Sequence, residues 1–253
     1  MDQSPLNPWF SIMIWVTVAL AGVATAAGLG WSQEQRIKPV IVIDPGHGGS
    51  DLGAVGLEGF VEKDLTLTLA RRIASEIGSV YQVVLTRNGD YGIELHERTA
   101  IANQAKADLF VSIHLGGSFR QQAAGMSVFY FDLDPASTPV PGAEKMNLPP
   151  SGPDPRWNET QGRHEARSRR LAGWLQRTLN SRDPSFGCDV AGAPLLVLCG
   201  ADMPAVLVEC GYVTHPPTEK MFRNPEWLSD LTHAMVSAIG SFLNEGGIQP
   251  INP

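Results

Sequence analysis

His47, Glu62, His114 and Glu209 are the residues whose types and positions could do chemistry. His47 stands in the loop DPGHGG after the apolar run VIVID, and Glu62 opens the helical stretch within FVEKDLTL. His114 closes FVSIH and Glu209 closes AVLVE. Two imidazoles and a carboxylate are the ligand set of many catalytic zinc sites, with the fourth position left to water. Zinc lowers the pKa of such a water to about 7. A second carboxylate can then act as general base and hand the proton to a leaving amine. Glycines around His47 let the backbone turn sharply and approach a metal or substrate closely. Glu209 is the most unusual of the four, because an acid directly after AVLV is costly to bury unless paired. Each residue also has an ordinary reading. A histidine at a strand end is commonly a hydrogen-bonded loop residue, and Glu62 could be a helix-start carboxylate facing the dipole. The spacing is not HExxH. The residues alone therefore support a metal-hydrolase hypothesis and leave the ligand assignment open.

The elements that must position these side chains alternate. VIVID after Pro39 reads as a buried strand ending in a Gly/Pro loop. Leu65, Leu69, Ile73 and Ile77 mark one face of a helix. Further strands are expected at 82–86, 109–113, 126–131, 195–198 and 205–208, and further helices at 95–104, 165–179 and 227–243. Strand–helix alternation predicts an α/β three-layer domain with a twisted, largely parallel sheet flanked by helices. Ligand sites in such sheets lie at the carboxyl ends of strands, where three of the four candidates fall. Asp132–Arg163 breaks the pattern. It carries Pro135, Pro139, Pro141, Pro149, Pro150, Pro153 and Pro155, and a stretch of that kind is expected to be a lid, a binding loop or disordered.

The chain has 253 residues, 43% of them hydrophobic, enough for one mid-sized domain with a sizeable core plus an appendage. A formal net charge of -7 and no Lys/Arg stripe argue against a nucleic-acid partner. Trp9 to Trp31 runs 23 residues without a charge, long enough to cross a membrane as a helix, with tryptophans suited to both interfaces. An uncleaved anchor is favoured over a secretory signal cut near Ala24-Thr25-Ala26, since no Lys or Arg precedes the run. Arg36 and Lys38 after the span nominally place the domain inside, and topology stays open on charge alone. Cys188, Cys199 and Cys210 lack zinc-site spacing. They are expected as buried or semi-buried thiols, with a Cys199–Cys210 bridge as the alternative in an oxidising compartment.

From Pro39 to Leu243 the sequence closely resembles the zinc-dependent N-acetylmuramoyl-L-alanine amidases of the amidase-3 family. VIVIDPGHGGSDLGAVG, EKDLTLTLARRI, VVLTRNGD, ERTAIANQAKADLFVSIH and GADMPAVLVECGYVTH follow in the family's order, then the closing helix. The resemblance implies His47, Glu62 and His114 as ligands of Zn2+ and Glu209 as the catalytic carboxylate. It implies peptidoglycan as substrate, cut at the amide between N-acetylmuramic acid and L-alanine. It further implies a catalytic domain in the periplasm or cell-wall space, membrane-anchored through the N-terminus or secreted if that segment is cleaved, with room for a protein activator. The implied layout is an anchor or signal segment with linker at 1–38, the catalytic domain at 39–246 and a tail at 247–253. Within it, 132–163 is a Pro-rich insertion that could gate access.

Arg87 and Arg98 also match the family pattern and are read first as ion-pair or loop-anchoring residues, second as substrate contacts. The chain departs from the pattern after His114, where Leu115-Gly116-Gly117 replaces the usual Ala-Asn, and around Glu209, at Cys210 and His215. His215 is expected to be a loop histidine rather than an added contact. A catalytically silent peptidoglycan-binding or regulatory protein, or a zinc hydrolase of another amide, are the alternatives.

Overall fold

The computed structural model describes residues 38–118, 123–133, 155–184 and 186–246, with side chains of the third stretch from 159 onward. Its centre is β1 (Val40–Pro45), whose run VIVIDP is unbroken by polar alternation because all six residues are buried. A strand covered on both faces has no solvent side to be polar on. β1 pairs in parallel with β2 (Gln82–Leu85) on one side and β3 (Leu109–Gly116) on the other. β6 (Ala205–Tyr212) follows β3 in parallel, then β4 (Met126–Phe131) antiparallel to β6, then β5 (Cys188–Ala193) parallel to β4. The sheet order is β2-β1-β3-β6-β4-β5.

Helices lie on the sheet as the periodicity predicts. α1 (Glu62–Ile77) buries Leu65, Leu69, Ile73 and Ile77. α4 (Glu165–Arg182) and α6 (Pro225–Glu245) bury their apolar faces in the same core cluster, with Ile41, Ile43, Val111, Val206 and Val208 from the sheet. A smaller cluster on the other face joins Val42, Phe110 and Leu207 to Ala102 of α2 (Leu95–Gln104) and to Val197 and Leu198. Two short helices, α3 (Pro155–Gly162) and α5 (Pro216–Met221), complete the described elements. Asn224 caps α6, its side chain accepting from the backbone N–H groups of Glu226 and Trp227, with Pro225 just inside the first turn.

Several expectations need correction. Leu195–Leu198 is not a strand: 196–200 forms turns, and Leu195, Val197 and Leu198 are apolar because they pack into the smaller cluster. The strand expected there is β5, at Cys188–Ala193. β3 and β6 run on past His114 and Glu209, which therefore lie inside strands rather than at their ends. Part of the segment expected to be irregular is helical, since α3 begins at Pro155. The Cys199–Cys210 bridge is not formed: Cys210 is a free, buried thiol, as is Cys188. The apolar run 9–31, most of the Pro-rich insertion (134–154) and the tail from 247 lie outside the described residues. Among the described residues no helix is long and apolar enough to cross a membrane.

Candidate metal centre

Each candidate ligand is placed by a different device. His47 follows β1 with its backbone in the left-handed region, φ 62°, which costs a residue with a Cβ about 1–2 kcal/mol. Two buried guanidiniums hold it there. Arg87 donates from Nε to the carbonyl of Pro45 (3.0 Å) and from Nη2 to that of Gly46 (2.7 Å). Arg98 donates to the carbonyls of Pro45 (2.9 Å) and His47 (3.1 Å). Three successive carbonyls of the loop are thus tied to arginine. Arg98 is itself fixed by Asp44, fully buried in β1, at 2.8 Å. Asp44 also accepts from Thr86 (2.5 Å) and Ser112 (2.7 Å). Lys63 and Asp90 clamp the next turn, Lys63 donating to Gly49 O (2.8 Å) and Asp90 accepting from Gly49 N (2.8 Å). Both arginines are loop anchors in this geometry.

Glu62 is the first residue of α1, and a short loop folds back over it. Its backbone N–H donates to Ala54 O (2.9 Å), while its Oε2 accepts from Ala54 N (2.8 Å). From α5, the buried Glu219 accepts the backbone N–H groups of Glu58 (2.9 Å) and Phe60 (3.3 Å), holding the tip of that loop. His114 projects from β3 over Gly46, where a Cβ would overlap its imidazole ring.

These devices bring three ligand atoms together. Glu62 Oε1 lies 3.0 Å from His47 Nε2 and 3.1 Å from His114 Nδ1, and also accepts from Leu115 N at 2.9 Å. The two imidazoles meet edge to face at 4.9 Å between centroids. The ligand atoms of the three residues lie within 4.8 Å of one another, which suits a single cation. Burial alone would raise the Glu62 carboxyl, but the hydrogen bonds from His114 and His47 outweigh it and hold it down at about 2. An anionic oxygen facing two imidazole nitrogens is the donor set that a zinc ion takes.

Asp51, which the sequence reading missed, completes the set. Its Oδ2 lies 2.8 Å from His47 Nδ1; a proton on Nδ1 directed to it would leave Nε2 free for a metal, the geometry of a carboxylate–histidine support. Burial lowers the His47 pKa, yet Glu62 and Asp51, one on each ring nitrogen, raise it overall. The signal available in the sequence was a carboxylate four residues after the histidine, inside the glycine loop.

Glu209 stands across the strand pairing from His114. It is partly buried, its Oε2 is sealed from solvent, and that oxygen has no hydrogen-bond partner. Burial pushes its carboxyl up to about 7, with the charge of Glu62 adding to the rise and His114 opposing it. His215 takes no part in the cluster. It stands at the start of α5, its Nδ1 2.8 Å from the Thr218 side-chain hydroxyl. The insertion flanks lie away from the centre. Tyr130 pairs with Val206, and Gln161 of α3 donates to the carbonyls of Ala201 and Met203, so both flanks sit at the edge of the sheet where β6 begins.

Residues 41–241 match the protein family described as N-acetylmuramoyl-L-alanine amidase. Among curated relatives, the chain is similar to the amidase AmiC of Neisseria meningitidis serogroup B, 29% identical over 225 residues, covering 82% of this chain and 53% of the relative. It is similar to AmiA of Escherichia coli K12, 28% identical over 230 residues, covering 82% of this chain and 77% of the relative. It thus spans about half the length of the first and about three quarters of the second. Among solved structures, an N-acetylmuramoyl-L-alanine amidase from Clostridium difficile 630 superposes with a TM-score of 0.65 at 29% identity, covering 82% of this chain and 97% of that one.

Proposed function

Because this chain belongs to the N-acetylmuramoyl-L-alanine amidase family, we propose that it hydrolyses the amide between N-acetylmuramic acid and L-alanine in peptidoglycan, freeing stem peptide from glycan. The observation that carries the reading is the convergence of His47 Nε2, Glu62 Oε1 and His114 Nδ1, with the sealed, unpartnered Oε2 of Glu209 on the neighbouring strand.

In this reading His47, Glu62 and His114 hold Zn2+, and Asp51 orients His47. The ion, when bound, supplies Lewis acidity that polarises a carbonyl and brings water within reach of ionisation near neutral pH. Glu209 is the general base and then the general acid. It takes a proton from the attacking water and gives it to the departing L-alanine amine, which leaves as a neutral amine instead of an amide anion. Burial raises this carboxyl above the ordinary range, which favours its holding the proton between the two transfers. Asp44, Arg87 and Arg98 keep the His47 loop in place through their hydrogen bonds to its carbonyls and to one another. The substrate puts the catalytic domain on the cell-wall side of the membrane. The apolar run 9–31 is the sequence's argument for tethering it there.

The test uses the full chain with its metal quantified, incubated with purified peptidoglycan beside Glu209→Gln. One zinc per chain, release of peptides with a free N-terminal L-alanine, and a loss of roughly 10²–10⁴-fold in the variant are expected. Zinc binding without release from peptidoglycan would overturn the substrate. Absence of both would overturn the enzyme.

A further inference from the structure

Tyr212 reaches the site through an irregularity in β6. His114 pairs with Glu209 and Gly116 with Tyr212, so β6 uses three residues where β3 uses two. An extra residue of this kind reverses the alternation of faces along a strand. Before it, Val206, Val208 and Cys210 point into the larger core cluster. After it, Val213 takes that side. Tyr212 is thereby turned to the face shared by Glu209 and His114, where unbroken alternation would have sent it into the core. Gly211, at φ 127°, supplies the backbone conformation the bulge needs.

Room for the ring comes from Gly116. A Cβ there would lie 2.5 Å from Cδ1 and Cε1 of Tyr212, so the ring lies directly across the bare glycine. This is the glycine of Leu115-Gly116-Gly117, where the chain departs from the family pattern. The ring is half-buried, and among the described residues its hydroxyl has no hydrogen-bond partner. The hydroxyl is not among the buried unpartnered atoms, so it is open to a ligand from the solvent side. Gly116 lies two residues beyond His114 on β3, roughly 7 Å further along the strand. That separation is about two residues of extended peptide.

We propose that Tyr212 is a substrate-contacting residue of this site, its ring laid across Gly116 and its hydroxyl hydrogen-bonding the muramoyl-peptide on the side of the site beyond His114. The inference rests on the amidase reading. The hydroxyl acts in binding and takes no part in proton transfer, which belongs to Glu209.

The test measures kcat and KM of the full, zinc-loaded chain on a soluble muramoyl-peptide, for the parent, Tyr212→Phe, Gly116→Ala, Tyr212→Ala and the Gly116→Ala/Tyr212→Ala pair. Tyr212→Phe keeps the ring and removes only the hydroxyl. It is expected to raise KM about three- to tenfold, with kcat, zinc content and melting temperature unchanged. Gly116→Ala is expected to raise KM in the parent by displacing the ring, and to do nothing further once Tyr212 is alanine. A Tyr212→Phe enzyme with parental KM, or equal Gly116→Ala losses in both backgrounds, overturns the inference while the amidase stands. A parent that releases no peptide overturns the amidase reading and this inference with it.

Discussion

Arg98 Nη1 sits 2.8 Å from Asp44 Oδ1 with both side chains shut away from solvent, and the same guanidinium donates to the carbonyl of His47. A buried ion pair beneath the loop therefore fixes the position of a ligand it never touches through its side chain. Removing one partner of such a pair leaves the other charge stranded in the core. Arg98→Ala should destabilise the domain by about 3–5 kcal/mol and cut zinc retention. Arg98→Lys keeps the charge but loses the planar fork that reaches several acceptors at once, and should recover only part of both. Urea midpoints and metal content after dialysis measure the two effects.

Asp51→Asn should weaken zinc binding about 10–100-fold while leaving the fold intact, because Asp51 is exposed and meets the cluster only through His47 Nδ1. Competition with a chelator of known affinity reads this directly. Parental affinity in the variant would remove Asp51 from the site.

Gly46→Ala tests whether the approach of the β1 loop to His114 is required. The new Cβ would overlap the imidazole, and Gly46 N and O are both engaged, with Ile113 and with Arg87 and Thr66 respectively. The backbone cannot step aside, so His114 must. Activity should fall at least tenfold with loss of bound zinc, whereas alanine at exposed Gly59, where nothing lies near, tests only the strain of its positive φ.

In the metal-free protein, Glu209 and Glu62 should move stability in opposite directions with pH. Glu209 is held at about 7 against an ordinary 4.5, so below 4.5 it is neutral in both states and costs nothing. As pH rises from 4.5 through 7 the unfolded chain releases its proton first, and stability falls by about 3 kcal/mol. Glu62, held at about 2, contributes fully above 4.5, and that contribution is lost as pH falls toward 2. Glu209→Gln should therefore match the parent near pH 4 and exceed it near pH 8. Denaturation curves in excess chelator check the crossing, and equal stabilities near pH 8 would contradict the burial of this carboxyl.

The candidate residues were legible in the sequence because their types are unusual after apolar runs and because five motifs occur in order. Their convergence was not. It depends on strand pairing, which sets His114 opposite Glu209, and on arginines whose acceptors are backbone carbonyls that no sequence pattern marks. β5 was missed because CDVAGA has little β-branched character, while LLVL looked like a strand for a reason unrelated to extension: Leu195, Val197 and Leu198 pack a turn against the core. Tyr212 was hidden more thoroughly. Period-two reasoning assigns it to the core, and only the register shift beside Gly211 reverses that. Asp51 lay in a loop without periodicity, where only the fold brings it onto the imidazole.

The left-handed backbone of His47 has a consequence for how the sequence can drift. A histidine at φ 62° is not where a free DPGHGG segment would rest; two guanidiniums from distant segments keep it there. Mutations in the loop can be absorbed as long as those cations remain, but an exchange of Arg87 or Arg98 releases the imidazole whatever the loop sequence is. Two residues remote from the substrate are thereby as hard to replace as the ligand itself, and a lineage that lost either would be expected to lose the metal before it lost the fold.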